Sequence, residues 1–120
     1  MQSQHPFFYL LECLICETFV DVAIEFLKQC EKEIREDLAD ALARLERGHL
    51  LSMPLSRPMP SIGAGVHELR FRDRSGIYRV VYFLAGSSEI HLIHAFKKKT
   101  QQTSSQDIAV AKERLKRVLK

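Results

Sequence analysis

The chain has 120 residues, 46% of them hydrophobic and 28% charged, with a formal net charge of +3. That is enough material for one hydrophobic core, and it excludes a disordered or fibrous composition. The charge is unevenly divided, −4 over residues 1–66 and +7 over residues 67–120, so the second half carries the surface suited to a polyanion, nucleic acid first.

Residues 7–15 are apolar and aromatic without a breaker and predict a short buried strand. The same run is interrupted by Glu12 and is far shorter than the ~20 residues a bilayer span needs. Residues 1–5 lack the Lys or Arg that opens a signal peptide. A cytoplasmic protein with one domain over residues 1–120 is expected. Cys13, Cys16 and Cys30 are an odd set, and the two-residue gap between the first two has no second pair to complete a zinc site. Reduced core cysteines are expected.

Residues 18–47 contain no Pro or Gly, and apolar side chains recur at helical spacing: Val20, Ile24 and Leu27, then Ile34, Leu38, Leu42 and Leu45. The two stripes do not join across polar residues 29–33, which predicts two helices with a tight turn between them. Gly48 closes the second as a C-terminal cap, with Arg44 and Arg47 suited to the dipole. Residues 48–65 hold Pro54, Pro58, Pro60, Gly63 and Gly65 and read as an extended connection.

Three runs follow, 67–72, 77–84 and 89–96, separated by turns that contain Gly. They predict an antiparallel meander. In the first, Leu69 and Phe71 share one face and Glu68, Arg70 and Arg72 the other. The second is apolar on both faces except for Arg79, so it is a central strand with one anomalous charge. Arg79 either pairs internally with Glu68 or Asp73, or opens onto a basic face beside Arg70 and Arg72. In the third, His91 and His94 lie three apart and are expected to face opposite ways, with His94 bonded to backbone or acting in proton transfer. Lys97, Lys98 and Lys99 gather at its end. Residues 103–120 predict a helix with Ser104 and Asp107 in capping-box spacing and a stripe of Ile108, Ala111, Leu115 and Val118. Its other face is basic, with Lys112 serving either as a second RNA contact or for solubility.

The segment ELRFRDRSGIYRVVYF at 68–83 resembles the signature of the RelE/HigB toxin superfamily, in its phage-derived HigB-like branch. LIHAFKKKT at 92–100 and IEFL at 24–27 resemble two further motifs of that branch. Ser104 stands where the branch usually has Pro, and Gln102 where it often has Lys. The resemblance implies a RelE-like α+β fold: a first strand and helical pair, then a three-stranded antiparallel meander and a C-terminal helix. It also implies a type II toxin that cleaves messenger RNA on the ribosome, and a partner antitoxin with a helix-turn-helix domain. Carried over residue by residue, it points to Arg70, Arg72, Arg79 and Lys98.

Metal-free RNA cleavage needs a base for the 2′-hydroxyl, an acid for the leaving 5′-oxygen and positive charge on the phosphate. The expected catalytic set is Arg79, Lys98, Arg72 and Tyr78, with Arg70, Arg74, Lys97, Lys99 and Lys112 binding RNA. A lysine crowded by cations gives up its proton more readily, which makes one of Lys97 to Lys99 the candidate base, with Tyr78 and Tyr82 as alternatives. No cofactor or metal is expected. Two competing readings are a nucleic-acid-binding module without catalysis and a phage accessory protein whose basic sheet docks on an acidic protein.

Overall fold

The computed structural model describes residues 25–26, 28–85, 89–98 and 103–119. The predicted first strand, most of the first helix, Cys13, Cys16 and Lys99 lie outside them. The described part is an α+β fold with two long helices and one antiparallel sheet: α1 (Lys32–Glu46), β1 (Ser56–Pro58), β2 (Val66–Asp73), β3 (Gly76–Ala85), β4 (Glu89–Lys98) and α2 (Ser105–Leu119), in sheet order β1-β2-β3-β4. Among the described residues, no helix is long and apolar enough to cross a membrane.

The break expected at 29–33 is present: a turn and bend occupy Gln29 and Cys30, and α1 begins at Lys32. The four apolar residues of its stripe are all buried, Leu38 and Leu42 completely, and each such leucine contributes roughly 1.5–3 kcal/mol of burial. Gly48 ends the helix as expected. Its φ is +86°, its N–H donates to the Leu45 carbonyl, and His49 N–H donates to that of Arg44, the paired bonds of a Schellman cap.

The proline-rich connection differs from expectation in containing β1. Its three residues pair Ser56 with Leu69, Arg57 with Glu68 and Pro58 with His67, so β1 extends the meander into a four-stranded sheet. Pro58 is tolerated because, among the described residues, β1 is an edge strand with a side that needs no donor. Buried Ser56 and Tyr82 share a 2.7 Å hydrogen bond across β2, which fastens the short strand to the sheet.

Alternation on β2 and β3 is as predicted. Leu69, Phe71, Tyr78, Val80 and Tyr82 face α1, in one apolar cluster with Leu38 and Leu42. Val66, Val81, Ile93 and Phe96 form a second cluster with Ala111 and Leu115 of α2. The sheet is therefore buried on both faces, and β3 is its central covered strand. The expectation for β4 is corrected. Its register slips between Val81 and Tyr82, whose partners are His94 and Leu92. Ile93 is the extra residue of a bulge, and one inserted residue exchanges the faces of everything beyond it. His91, opposite Phe83, and His94, opposite Val81, consequently share the α2 face.

Candidate functional site

The β2–β3 hairpin places most of the expected residues. Asp73 pairs with Gly76, leaving Arg74 and Ser75 as a two-residue turn. Asp73 organises it: Oδ1 accepts from Ser75 N–H at 2.8 Å and Ser75 Oγ at 2.7 Å, and Oδ2 accepts from the Tyr78 hydroxyl at 2.9 Å. The Ser75 hydrogen bonds, with that from Tyr78, hold the Asp73 carboxyl below its usual range. Gly76 has a φ of +152°, and a Cβ there would lie 2.7 Å from the Lys98 carbonyl oxygen. The close approach of β4 to the hairpin thus depends on glycine.

Register then aligns the cations. Arg72, Ile77 and Lys98 stand opposite one another across β2, β3 and β4, and so do Arg70, Arg79 and Phe96 in the next row. Exposed Arg72 and Arg74 line one cleft with Lys97, above Ser75 and Gly76. The Lys97 ammonium lies 5.1 Å from the centre of the Tyr78 ring, a cation–π arrangement. Lys98 occupies the α2 face beside this cleft, 3.4 Å from Asp107 Oδ2. The idea of a lysine crowded only by cations therefore does not hold at Lys98. Lys112 is exposed on α2.

Arg79 does not open onto this surface. It is completely buried, its NH1 donating to Glu68 Oε1 and to Thr103 Oγ1, both at 2.9 Å, while the Thr103 hydroxyl donates to Glu68 Oε2 at 2.8 Å. Of the two sequence alternatives, the internal pair with Glu68 forms, because Glu68 occupies the neighbouring strand on the same face and is itself completely buried. Arg70 lies between the two environments: its side chain is 16% exposed and its Nε is 3.9 Å from Glu68 Oε1. Desolvation and the neighbouring Arg79 charge lower its pKa. Tyr78 is buried with its hydroxyl given to Asp73, and Tyr82 is buried against Ser56. The Tyr82 hydroxyl is pushed up by burial. Neither tyrosine presents a free base to the cleft.

A polar cluster joins β4 to α2. The capping box forms: Asp107 N–H donates to Ser104 Oγ at 3.1 Å, and that hydroxyl donates to Asp107 Oδ2 at 2.7 Å. His94 Nε2 lies 2.9 Å from Asp107 Oδ1, and its Nδ1 lies 3.3 Å from Arg114 NH1. The tautomer that satisfies both contacts carries its proton on Nε2. Burial lowers the His94 pKa, against the opposing pull of Asp107 and with a further push from Arg114. Burial raises Asp107, but hydrogen bonds from His94 and Ser104 and the charges of His94 and Lys98 outweigh it and hold the carboxyl below its usual range. The partner of His94 is thus a side chain rather than the expected backbone. Thr103 had no sequence signal beyond its place at the start of the predicted helix, which in the structure begins two residues later at Ser105, whereas Asp107 was marked by its spacing from Ser104.

A family model described as phage-derived protein Gp49-like (DUF891) matches residues 25–116. No curated protein matches the chain. The matched span takes in α1, the whole sheet, the hairpin cations and nearly all of α2, and the chain therefore belongs to the phage-derived Gp49-like family, a family associated with RelE-like toxin–antitoxin proteins.

Proposed function

We propose that this protein is the toxin of a type II toxin–antitoxin pair, a cytoplasmic, ribosome-dependent endoribonuclease of the RelE/HigB kind that needs no metal. The observation that carries this reading is the gathering of Arg72, Arg74 and Lys97 in one cleft, with Lys98 in the same cross-strand row as Arg72. Such a cleft fits a phosphate and the charge that builds on it during strand scission. In the proposed reaction the 2′-oxygen attacks the adjacent phosphorus, the bond to the 5′-oxygen breaks, and the 2′-hydroxyl proton leaves as another is delivered to the 5′-oxygen. The products are a 2′,3′-cyclic phosphate and a 5′-hydroxyl. Arg72 and Lys98 contact the phosphate in flight, Arg74 and Lys97 hold the flanking backbone, and Arg79 fixes the sheet beneath them through Glu68. The partner is an antitoxin with a helix-turn-helix domain that covers the basic cleft.

The test is induction of the protein alone in bacteria, with transcripts mapped before and after, beside cleavage by the purified protein with and without ribosomes. Growth arrest with transcripts shortened to cyclic-phosphate ends is expected, relieved by co-expressing the antitoxin. Normal growth and intact transcripts, with RNA binding retained, would replace this reading with that of a non-catalytic nucleic-acid-binding module.

A further inference from the structure

A second cleft, of about 630 Å³, opens at the edge of the sheet on the side of α1, within the ~300–1,000 Å³ range of small-molecule sites. It exists because β1 is short. Among the described residues, no strand pairs with β2 beyond Leu69, although Arg70 N–H still reaches the Leu55 carbonyl at 2.9 Å. Leu55, Phe71 and Ile77 give the cleft apolar surface. Arg70 and Arg72, shared with the basic region already described, line it as well. Asp37 and Asp40 line it from α1, three apart on the same side of the helix and exposed. Asp40 has an ion-pair partner in Arg44, but at 4.0 Å and with both side chains well exposed, a weak tie.

Two carboxylates and two guanidiniums lining one cleft sort the parts of a nucleotide. A phosphate is attracted to the arginines and repelled from the aspartates, while a base edge rich in N–H donors suits the carboxylates. Single-stranded bases are ordinarily read in this way, by apolar or guanidinium stacking and by bonds to the Watson–Crick edge. We propose that this cleft seats one unpaired base of the bound RNA, and that Asp37 and Asp40 select guanine. Guanine offers N1–H and the N2 amino group side by side, so one carboxylate accepts from both. Adenine and cytosine set a ring-nitrogen acceptor beside their amino group, and uracil flanks its single N–H with two carbonyl oxygens. Each of these turns a lone pair toward the carboxylates. The proposal rests on the RNA-binding reading above and adds a base preference to it.

The experiment measures binding of the purified full chain to oligouridylates that carry one central guanosine, inosine, adenosine or cytidine, by fluorescence anisotropy at low salt. The proteins are the parent, Asp37→Asn, Asp40→Asn and the double variant. Both positions are exposed, so the fold is expected to survive. The parent should bind the guanosine oligomer roughly fivefold to a hundredfold more tightly than oligouridylate, the discrimination typical of a bidentate base contact. Inosine, which lacks the N2 amino group, should lose most of that. In the double variant the guanosine preference should disappear, even as every oligomer binds somewhat more tightly for want of two negative charges. A parent without preference, or a preference that survives both substitutions while all affinities rise in parallel, would overturn the base site and leave the RNA-binding reading standing. Absence of salt-sensitive binding to every oligomer would overturn both.

Discussion

Replacing Arg79 by Met removes the cation from the buried Glu68–Arg79–Thr103 network. Glu68 is then left completely buried, still within reach of the Thr103 hydroxyl at 2.8 Å and of Arg70 Nε at 3.9 Å. Breaking a buried ion pair from one side costs about 3–5 kcal/mol, because it strands a charge away from water. The residual contacts to Thr103 and Arg70 argue for the lower end, about 3 kcal/mol. Unfolding entropy near 2.1 cal/mol/K per residue gives roughly 0.25 kcal/mol/K for a chain of this length, so the melting temperature should fall by about 12 °C. Removing both charges with Glu68→Leu and Arg79→Met should recover most of that loss, since well-packed apolar side chains often replace a buried pair at little or no cost. Urea and thermal unfolding of the parent, both single variants and the double variant form a complete cycle, with an expected coupling of about 2 kcal/mol. A single Arg79→Met variant melting within a few degrees of the parent, or a double variant no better than the single one, would refute the buried pair. The double variant also tests the chemistry. If Arg79 acts only through the sheet, cleavage by the refolded protein should stay within about tenfold of the parent; a loss of about 10²–10³ in a stable double variant would return Arg79 to the phosphate.

Arg72→Ala, at an exposed position, should change stability by no more than about 0.5 kcal/mol while lowering cleavage by about 10²–10³, checked by melting and ribosome-dependent cleavage on one preparation. RNA binding through four cations should give a slope of log K against log salt near −2.8, from about −0.7 per phosphate on a single strand, and Arg72→Ala should flatten it by about 0.7. A salt titration with no slope would remove the cleft as the RNA site. Gly76→Ala should cost more than about 1 kcal/mol, because it combines a strained φ with a clash against the Lys98 carbonyl, and denaturation measures it directly. Acid should destabilise the protein in a defined window. His94 and His67 both have folded pKa values lowered by burial from 6.5, so below that pH the unfolded chain binds more protons than the folded one. Their contribution is present above pH 6.5 and is lost as pH falls from there toward the folded pKa values. Urea titrations across that range should show the decline, and His94→Asn should make it shallower; an unchanged profile in that variant would refute the neutral, buried state of His94.

Much of the fold was legible because binary patterns map directly onto burial. The stripe Ile34, Leu38, Leu42 and Leu45, the cap at Gly48 and the alternation of Leu69 and Phe71 against Arg70 and Arg72 all appear as expected. Two features escaped for physical reasons. β1 is a three-residue edge strand in a proline-rich stretch, too short for alternation to register. The bulge at Ile93 reverses the faces of half a strand, and period-two reading assumes an unbroken period. The site divided along the same line. The exposed cations Arg72, Arg74 and Lys97 were readable from sequence order, since an antiparallel meander brings the β2–β3 turn and the end of β4 together. The sequence left the inward pairing of Arg79 with Glu68 as one of two alternatives, and the third member of the network, Thr103, lies 24 residues away in sequence, a contact that no local pattern encodes. Asp37 and Asp40 lie outside the apolar stripe of α1, and the cleft they share with Arg70 follows from the way α1 packs on the sheet.

The bonds that Asp73 makes to Ser75 and Tyr78 have a consequence for the speed and strength of binding. A hairpin tip bearing Arg74 would ordinarily sample many shapes, and a ligand would have to freeze it, at about 0.5–1.5 kcal/mol for each side chain immobilised. Here one carboxylate accepts the backbone N–H and hydroxyl of the turn and the hydroxyl of the next strand, so the tip is held in shape before anything arrives. The cradle is preorganised. Encounter with a polyanion then needs no reshaping of this tip, and the association rate should be governed by diffusion and electrostatic steering rather than by ordering of the hairpin.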